Sequence, residues 1–146
     1  MPTTAPPDTA ALAARLRLSV TRLARKLRQE AEPGITPSML AALSSAERQG
    51  PLTMRELCVA EQVQPPSMTR IVAALVDAGL AARDADSGDR RVVWVTVTPE
   101  GRRLLERSRR RKEAYLARAL RSLEPGELDT LEHAAALLER LTEGPR

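Results

Sequence analysis

Two short runs of side chains carry chemistry suited to reading a nucleic acid. Ser67-Met68-Thr69-Arg70 follow a Pro65-Pro66 pair, and Asp89-Arg90-Arg91 end a stretch rich in Asp and Gly. An Arg guanidinium can bond bidentately to guanine, Ser and Thr hydroxyls can bond to bases or phosphates, and a Met can touch a thymine methyl. Gln64, beside Pro65 at the head of the first run, can reach DNA from the same end. In the second run Arg90 is the candidate probe of a narrow, electronegative minor groove. Asp89 would support the tip by orienting Arg91 through a charge-assisted bond. The bland alternatives are a solvated helix start for the first run and a surface hairpin with a weak ion pair for the second. The element under each run decides between them.

Those elements are legible. Thr53 caps a short helix, with Glu56 at the third position of a capping box. Leu57, Cys58 and Val63 give that unit an apolar underside. Gln64 is a poor cap for the next helix, whose first turn accepts Pro65 and Pro66 because those amides lack intrahelical partners in any case. Ile71, Val72, Leu75 and Val76 recur at helical spacing and face a core. Ser67, Met68, Thr69, Arg70, Ala73 and Ala74 are left for other faces. Gly79 stops the helix as a left-handed cap before apolar Leu80. A first strand is expected over 80–83 and a loop over 84–88. Val93, Val95 and Val97 alternate with Trp94 and Thr96 as a half-buried strand. Thr98 and Pro99 then open a long helix. The order helix, turn, helix, two-stranded wing is that of a winged helix-turn-helix, with a recognition helix for the major groove and an Arg-bearing loop beside it.

The rest of the chain is helical. Residues 1–8 read as a disordered, Pro-rich N-terminus, and 9–146 as a single domain. A helix over 9–31 carries a stripe of Leu12, Leu16, Val20, Leu23 and Leu27. Thr36-Pro37 opens another helix to Gln49, with Met39, Leu40 and Leu43 as core candidates. Helices over 99–121 and from Pro125 to about Leu141 follow, the last with Leu128, Leu131, Leu138 and Leu141 on one stripe. The fold class is therefore mainly α with a small β wing. The winged unit spans 36–98, and flanking helices in 9–34 and 99–146 carry more apolar surface than its small core can cover. A twofold dimer would cover them and present two recognition helices to two half-sites.

Composition narrows the chemistry. Net charge is +4 with 23 Lys and Arg against 19 Asp and Glu, which favours an anionic partner. Phe is absent, so the core must be aliphatic. No apolar run is long enough to span a membrane, and the N-terminus lacks the pattern of a secretory signal. The single Cys58 cannot form an internal disulfide and belongs to the apolar underside of its helix. His133 is the only His and has no ligand partners at metal spacing, so neither metal nor cofactor is expected. With no nucleophile–base pair and no phosphate-cradling Gly loop, the chain does not read as an enzyme. The basic run Arg107, Arg109, Arg110, Arg111, Lys112 reads as a solvated helix face with Glu106–Arg110 and Arg109–Glu113 pairs.

A family resemblance rests on these same residues. Asp89, Arg91, Val95, Val97, Thr98 and Gly101 match Asp-x-Arg-x-x-x-Val-x-Leu-Thr-x-x-Gly, with Val97 in place of Leu. That pattern, with PPSMTRIVAALVDAGL before it, resembles the MarR family of bacterial transcription regulators. The resemblance implies a winged-helix homodimer on double-stranded DNA, cytoplasmic and nucleoid-associated, that represses nearby genes from a palindromic operator. Many members are released by small phenolic effectors or by Cys oxidation. Effectors bind between the dimerisation helices and the winged unit, where Tyr115 is the only aromatic on the later helices of this chain. Two departures stand out. Gln64 replaces a frequent Ser or Thr cap, and Glu61 replaces an apolar residue, which predicts an early end to the first helix of the unit and an exposed Glu61. Two rival readings remain: an architectural DNA-binding protein indifferent to ligands, and a helical interaction module that does not bind DNA.

Overall fold

The computed structural model describes residues 8–143. The expected disordered N-terminus lies outside them except for Asp8, which is the N-cap of the first helix and accepts the Ala10 N–H at 3.1 Å. Six helices and three strands follow in the order α1 (Thr9–Gln29), α2 (Pro37–Gln49), β1 (Leu52–Thr53), α3 (Met54–Glu61), α4 (Pro65–Asp77), β2 (Ala81–Ala85), β3 (Val93–Val97), α5 (Pro99–Leu120) and α6 (Pro125–Thr142). The chain forms two compact units, 1–112 and 113–146, and the division falls within α5. No described helix is long and apolar enough to cross a membrane.

The core lies in the first unit. Met39, Ala42, Leu43 and Ala46 of α2 pack with Leu57 of α3, Met68, Val72 and Leu75 of α4, Val95 and Val97 of β3, and Leu104 and Leu105 of α5. It is aliphatic, as the lack of Phe requires. Leu40, Cys58, Val63, Ile71 and Val76 are packed against it but only partly buried. The sheet is antiparallel in the order β1-β3-β2, so the wing has one strand more than the two expected. Leu52 pairs with Val95 on the free edge of β3. β2 starts at Ala81 and runs to Ala85, beyond the expected 80–83, because Asp84 pairs with Trp94 and Ala85 with Val93.

Local signals at the helix ends have visible causes. Thr53 Oγ1 accepts the Glu56 N–H at 3.1 Å, and Glu56 returns a carboxylate to the Thr53 N–H at 2.8 Å. Gly79 has φ +73°, and α4 closes with Gly79 N–H to Val76 O and Leu80 N–H to Leu75 O, both at 2.9 Å. Leu75 and Leu80 are both buried, the apolar contact that accompanies this motif. The turn between α3 and α4 uses Gln62 at φ +53°, a left-handed position that disfavours side chains.

Polar pairs within the first unit correct two expectations. α3 does not end early: Glu61 is its last residue, half-buried, and accepts a hydrogen bond from the buried Ser45 hydroxyl of α2. The acid is tolerated at an apolar position because a partner waits for it. Arg109 pairs with Glu47 of α2 rather than with Glu113, and Arg107 bonds Glu32 at 2.7 Å. The Arg107 hydrogen bond holds the Glu32 carboxyl below its ordinary pKa, against the opposing effect of desolvation. The Glu106–Arg110 pair forms as expected, at 3.1 Å. The basic run thus partly ties α5 to α2 and to the loop that follows α1.

Candidate nucleic-acid interface

α4 presents one polar face. Pro65, Pro66, Thr69 and Arg70 are exposed, and Ser67 and Ala73 are half-buried. Gln64 precedes them in extended conformation, exposed and without a side-chain capping bond, so its amide is available outward. Thr69 Oγ1 donates to Pro65 O at 2.9 Å. In that rotamer its proton is used within the helix and its lone pairs remain as acceptors.

Met68 is a correction. It is 0 % exposed and sits among the largest fully buried side chains, so it cannot touch a thymine methyl. Met68, Val72 and Leu75 are spaced i, i+4, i+7, which is one face of a helix. The apolar stripe therefore starts earlier than the residue types around Met68 suggest.

The wing tip is built from carboxylates. Asp89 takes the Arg91 side chain at 3.1 Å from both Nε and Nη2, and accepts the Arg91 N–H at 3.0 Å. The expected Asp89–Arg91 pair is therefore in place. That bonding holds the Asp89 carboxyl below its ordinary pKa. Arg91 remains 92 % exposed in its side chain, so the pair orients the guanidinium without hiding it. Arg90 is exposed and forms no ion pair among the described residues. Behind the tip, Asp86 accepts the Trp94 indole N–H at 2.9 Å and the Gly88 and Asp89 amides at 3.0 and 3.1 Å. Sequence reasoning passed over Asp86 and Trp94, whose pairing depends on strand register.

Between α3, the start of α4 and β3 lies a groove of about 680 Å³ whose lining includes Arg55, Cys58, Gln64, Thr69, Arg91 and Val93. Cys58 is thus not wholly enclosed between two helices: it is half-buried and lines this groove. Arg55, exposed on the first turn of α3, is a second cation beside Arg91 that residue-type reasoning missed. No group of three or more His, Cys, Asp or Glu side chains suited to a metal occurs among the described residues. His133 is exposed on α6, with Nδ1 2.8 Å from Asp129 O.

The comparisons with known proteins agree with this architecture. Residues 35–93 match the MarR family. An HTH-type transcriptional regulator of Mycobacterium leprae is 38% identical over 138 residues, covering 93% of this chain and 96% of that one. The chain belongs to the MarR family. As such it is a transcriptional regulator that binds DNA, not an enzyme. A second relative, the HTH-type transcriptional repressor MdtR of Bacillus subtilis, is 29% identical over 133 residues, 88% of this chain and 86% of that one. The crystal structure of a putative transcriptional regulator from Pseudomonas aeruginosa superposes with a TM-score of 0.83 at 34% identity, over 96% of this chain and 100% of that one. The mainly α winged-helix fold of this MarR-family chain is thus shared along nearly its whole length.

Proposed function

We propose that this MarR-family chain is a repressor that acts as a homodimer on a palindromic operator. α4 would lie in the major groove, with Gln64, Pro65, Ser67, Thr69 and Arg70 towards the bases and phosphates. Arg90 would enter the adjacent minor groove, and Arg91, held by Asp89, would sit beside it. The observation that carries this reading is the wing tip: one Arg tied down and its neighbour exposed and outside every ion pair found among the described residues. The dimer is supported by apolar faces left open on α1 and α6. Repression is supported by the relative named MdtR. On this reading the protein works in the cytoplasm, on the nucleoid. Release by a small-molecule effector is supported by the groove beside α4, whose volume suits a small ligand. Gln64, Thr69 and Arg91 line it, so an occupant there would compete with DNA.

Footprinting of the full chain on genomic fragments that it selects tests the proposal. A short protected palindrome is the expected result. Protection that spreads with fragment length would instead indicate an architectural protein, and no protection at low salt a helical interaction module. Within a selected site, Arg90→Ala should weaken binding by ~1–3 kcal/mol per half-site, the range for one good base-edge contact. Its melting curve should match the parent's, because the side chain supports nothing else. Arg91→Ala should loosen the tip by leaving Asp89 without its guanidinium. An Arg90→Ala protein that binds the site as the parent does would sink the groove-probe assignment.

A further inference from the structure

We propose that Asp86 and Trp94 are positioning residues for DNA recognition: the indole holds the carboxylate, and the carboxylate fixes the 86–92 loop in the form that presents Arg90. The inference rests on the reading of Arg90 as a DNA contact.

The register of the wing brings the two together. Asp84 pairs with Trp94 across β2 and β3, so Asp86, two residues on, is its diagonal neighbour on the same face. A half-buried indole N–H needs an acceptor, and it can only donate. Asp86 Oδ1 supplies that acceptor at 2.9 Å. Oδ2 then faces the loop and receives the Gly88 and Asp89 amides. The backbone closes the same segment, with Asp86 N–H to Val92 O at 2.8 Å and Val92 N–H to Asp89 O at 3.0 Å.

A continuous chain of hydrogen bonds results. Trp94 donates to Asp86, Asp86 accepts from the Asp89 amide, and the Asp89 carboxylate accepts from Arg91. Arg90 stands between two residues whose backbones are both held, while its own side chain is exposed. An ordered backbone there lowers the entropy that a contact must overcome. The carboxylates also need an explanation of their own. Asp84, Asp86 and Asp89 crowd a hairpin that is to approach phosphates. The Arg91 guanidinium offsets the charge of Asp89, and Asp86 is turned onto neutral internal donors within the hairpin.

The test is a double-mutant cycle on the full chain, with a fluorescein-labelled duplex recovered by the parent's own genomic selection as the probe. Asp86→Ala should lose roughly tenfold in affinity per half-site, within the span of a single base contact. Asp86→Ala should cost clearly less affinity on the Arg90→Ala background than on the parent, because much of its effect acts through Arg90. Trp94 is the only Trp in the sequence, so its emission reports the wing directly. It should shift to longer wavelength in free Asp86→Ala, and DNA should change it in the parent. Trp94→Phe keeps an aromatic ring and removes the N–H donor, and it should show the same non-additivity if Asp86→Ala folds poorly. Parent-like binding by Asp86→Ala, or losses that multiply in the double variant, would overturn the coupling while leaving Arg90 as a contact. Parent-like binding by Arg90→Ala would overturn the underlying reading, and the coupling with it.

Discussion

Gly101→Ala is expected to lower the thermal midpoint of this protein by roughly 6 °C. A Cβ on Gly101 would lie 2.1 Å from the Leu80 carbonyl oxygen and 2.9 Å from Val97 Cγ1. The first of these is a backbone atom and cannot swing aside. The Leu80 oxygen is also held in place, since it accepts the Thr98 N–H at 3.1 Å. Thr98 donates its hydroxyl to Gly79 O at 2.7 Å and caps α5 by accepting the Gly101 N–H at 3.1 Å. Arg102 adds a bond to Val97 O at 3.2 Å. The first turn of α5 is thus clamped onto the corner between α4 and β2, and only a residue without Cβ fits at the contact. Relief requires α5 to move, and Leu104 and Leu105 with it, which are part of the core. Overpacking of this kind costs about 3 kcal/mol, and roughly 3 °C of midpoint accompanies each kcal/mol in a chain of this size. Ala has the better helix propensity by about 1 kcal/mol, so the clash must exceed that gain. Gly126→Ala in α6 is the matched control. Nothing lies within 4 Å of its added Cβ, and the midpoint should stay level or rise. Circular dichroism melts of the two variants decide the matter. An unchanged midpoint for Gly101→Ala would mean that α5 is not clamped in this way.

That contact gives physical content to a pattern legible in the sequence. Thr98 and Gly101 could be matched to a spacing, but the spacing does not reveal that the Gly is needed against Leu80, far back in the chain. The same division runs through the molecule. Helix ends were legible because their signals are local: Thr53 with Glu56, Thr98 with Pro99, and Gly79 act within a few residues of themselves. β1 was not legible, since a two-residue strand has no alternation and exists only because β3 offers a free edge to Leu52. Met68 resembles a base contact by residue type, whereas its i, i+4, i+7 spacing with Val72 and Leu75 assigns it to the core stripe. Glu61, Arg107 and Arg109 look like ordinary surface charges in sequence. Their partners Ser45, Glu32 and Glu47 lie 16, 75 and 62 residues away. The wing tip divides in the same way. Asp89 and Arg91 are two residues apart and could be paired on sight, whereas Asp86 and Trp94 meet only once the register of the hairpin is known.

Removal of residues 124–146 should convert the proposed dimer into a monomer that is still folded. α6 leaves Leu128, Leu131, Leu137, Leu138 and Leu141 between 38% and 71% exposed. α1 likewise leaves Leu12, Leu16, Leu18, Val20 and Leu23 at 36% to 48%. A helix with a continuous open apolar face calls for a cover. Burial of a fully exposed Leu is worth roughly 1.5–3 kcal/mol, and about half of that is still to be gained at these exposures, so the side chains of α1 and α6 together can outweigh an association cost of about 4–15 kcal/mol. Loss of α6 removes half of that apolar supply and should tip the balance. Folding should survive, because every buried residue among those described lies at or before Ser108. Leu131→Glu with Leu138→Glu makes the same test without shortening the chain, by burying charge in any interface formed there. Sedimentation of the parent at micromolar concentration should give a dimer, and both variants should give monomers with parent-like helix content. Operator affinity should fall with the dimer, since a lone half-site offers half the contacts and none of the avidity of two linked ones. A parent that sediments as a monomer would sink the dimer itself. A truncated chain that stays dimeric would show that α1 and α5 suffice to hold the two copies, and that the apolar face of α6 serves some other partner.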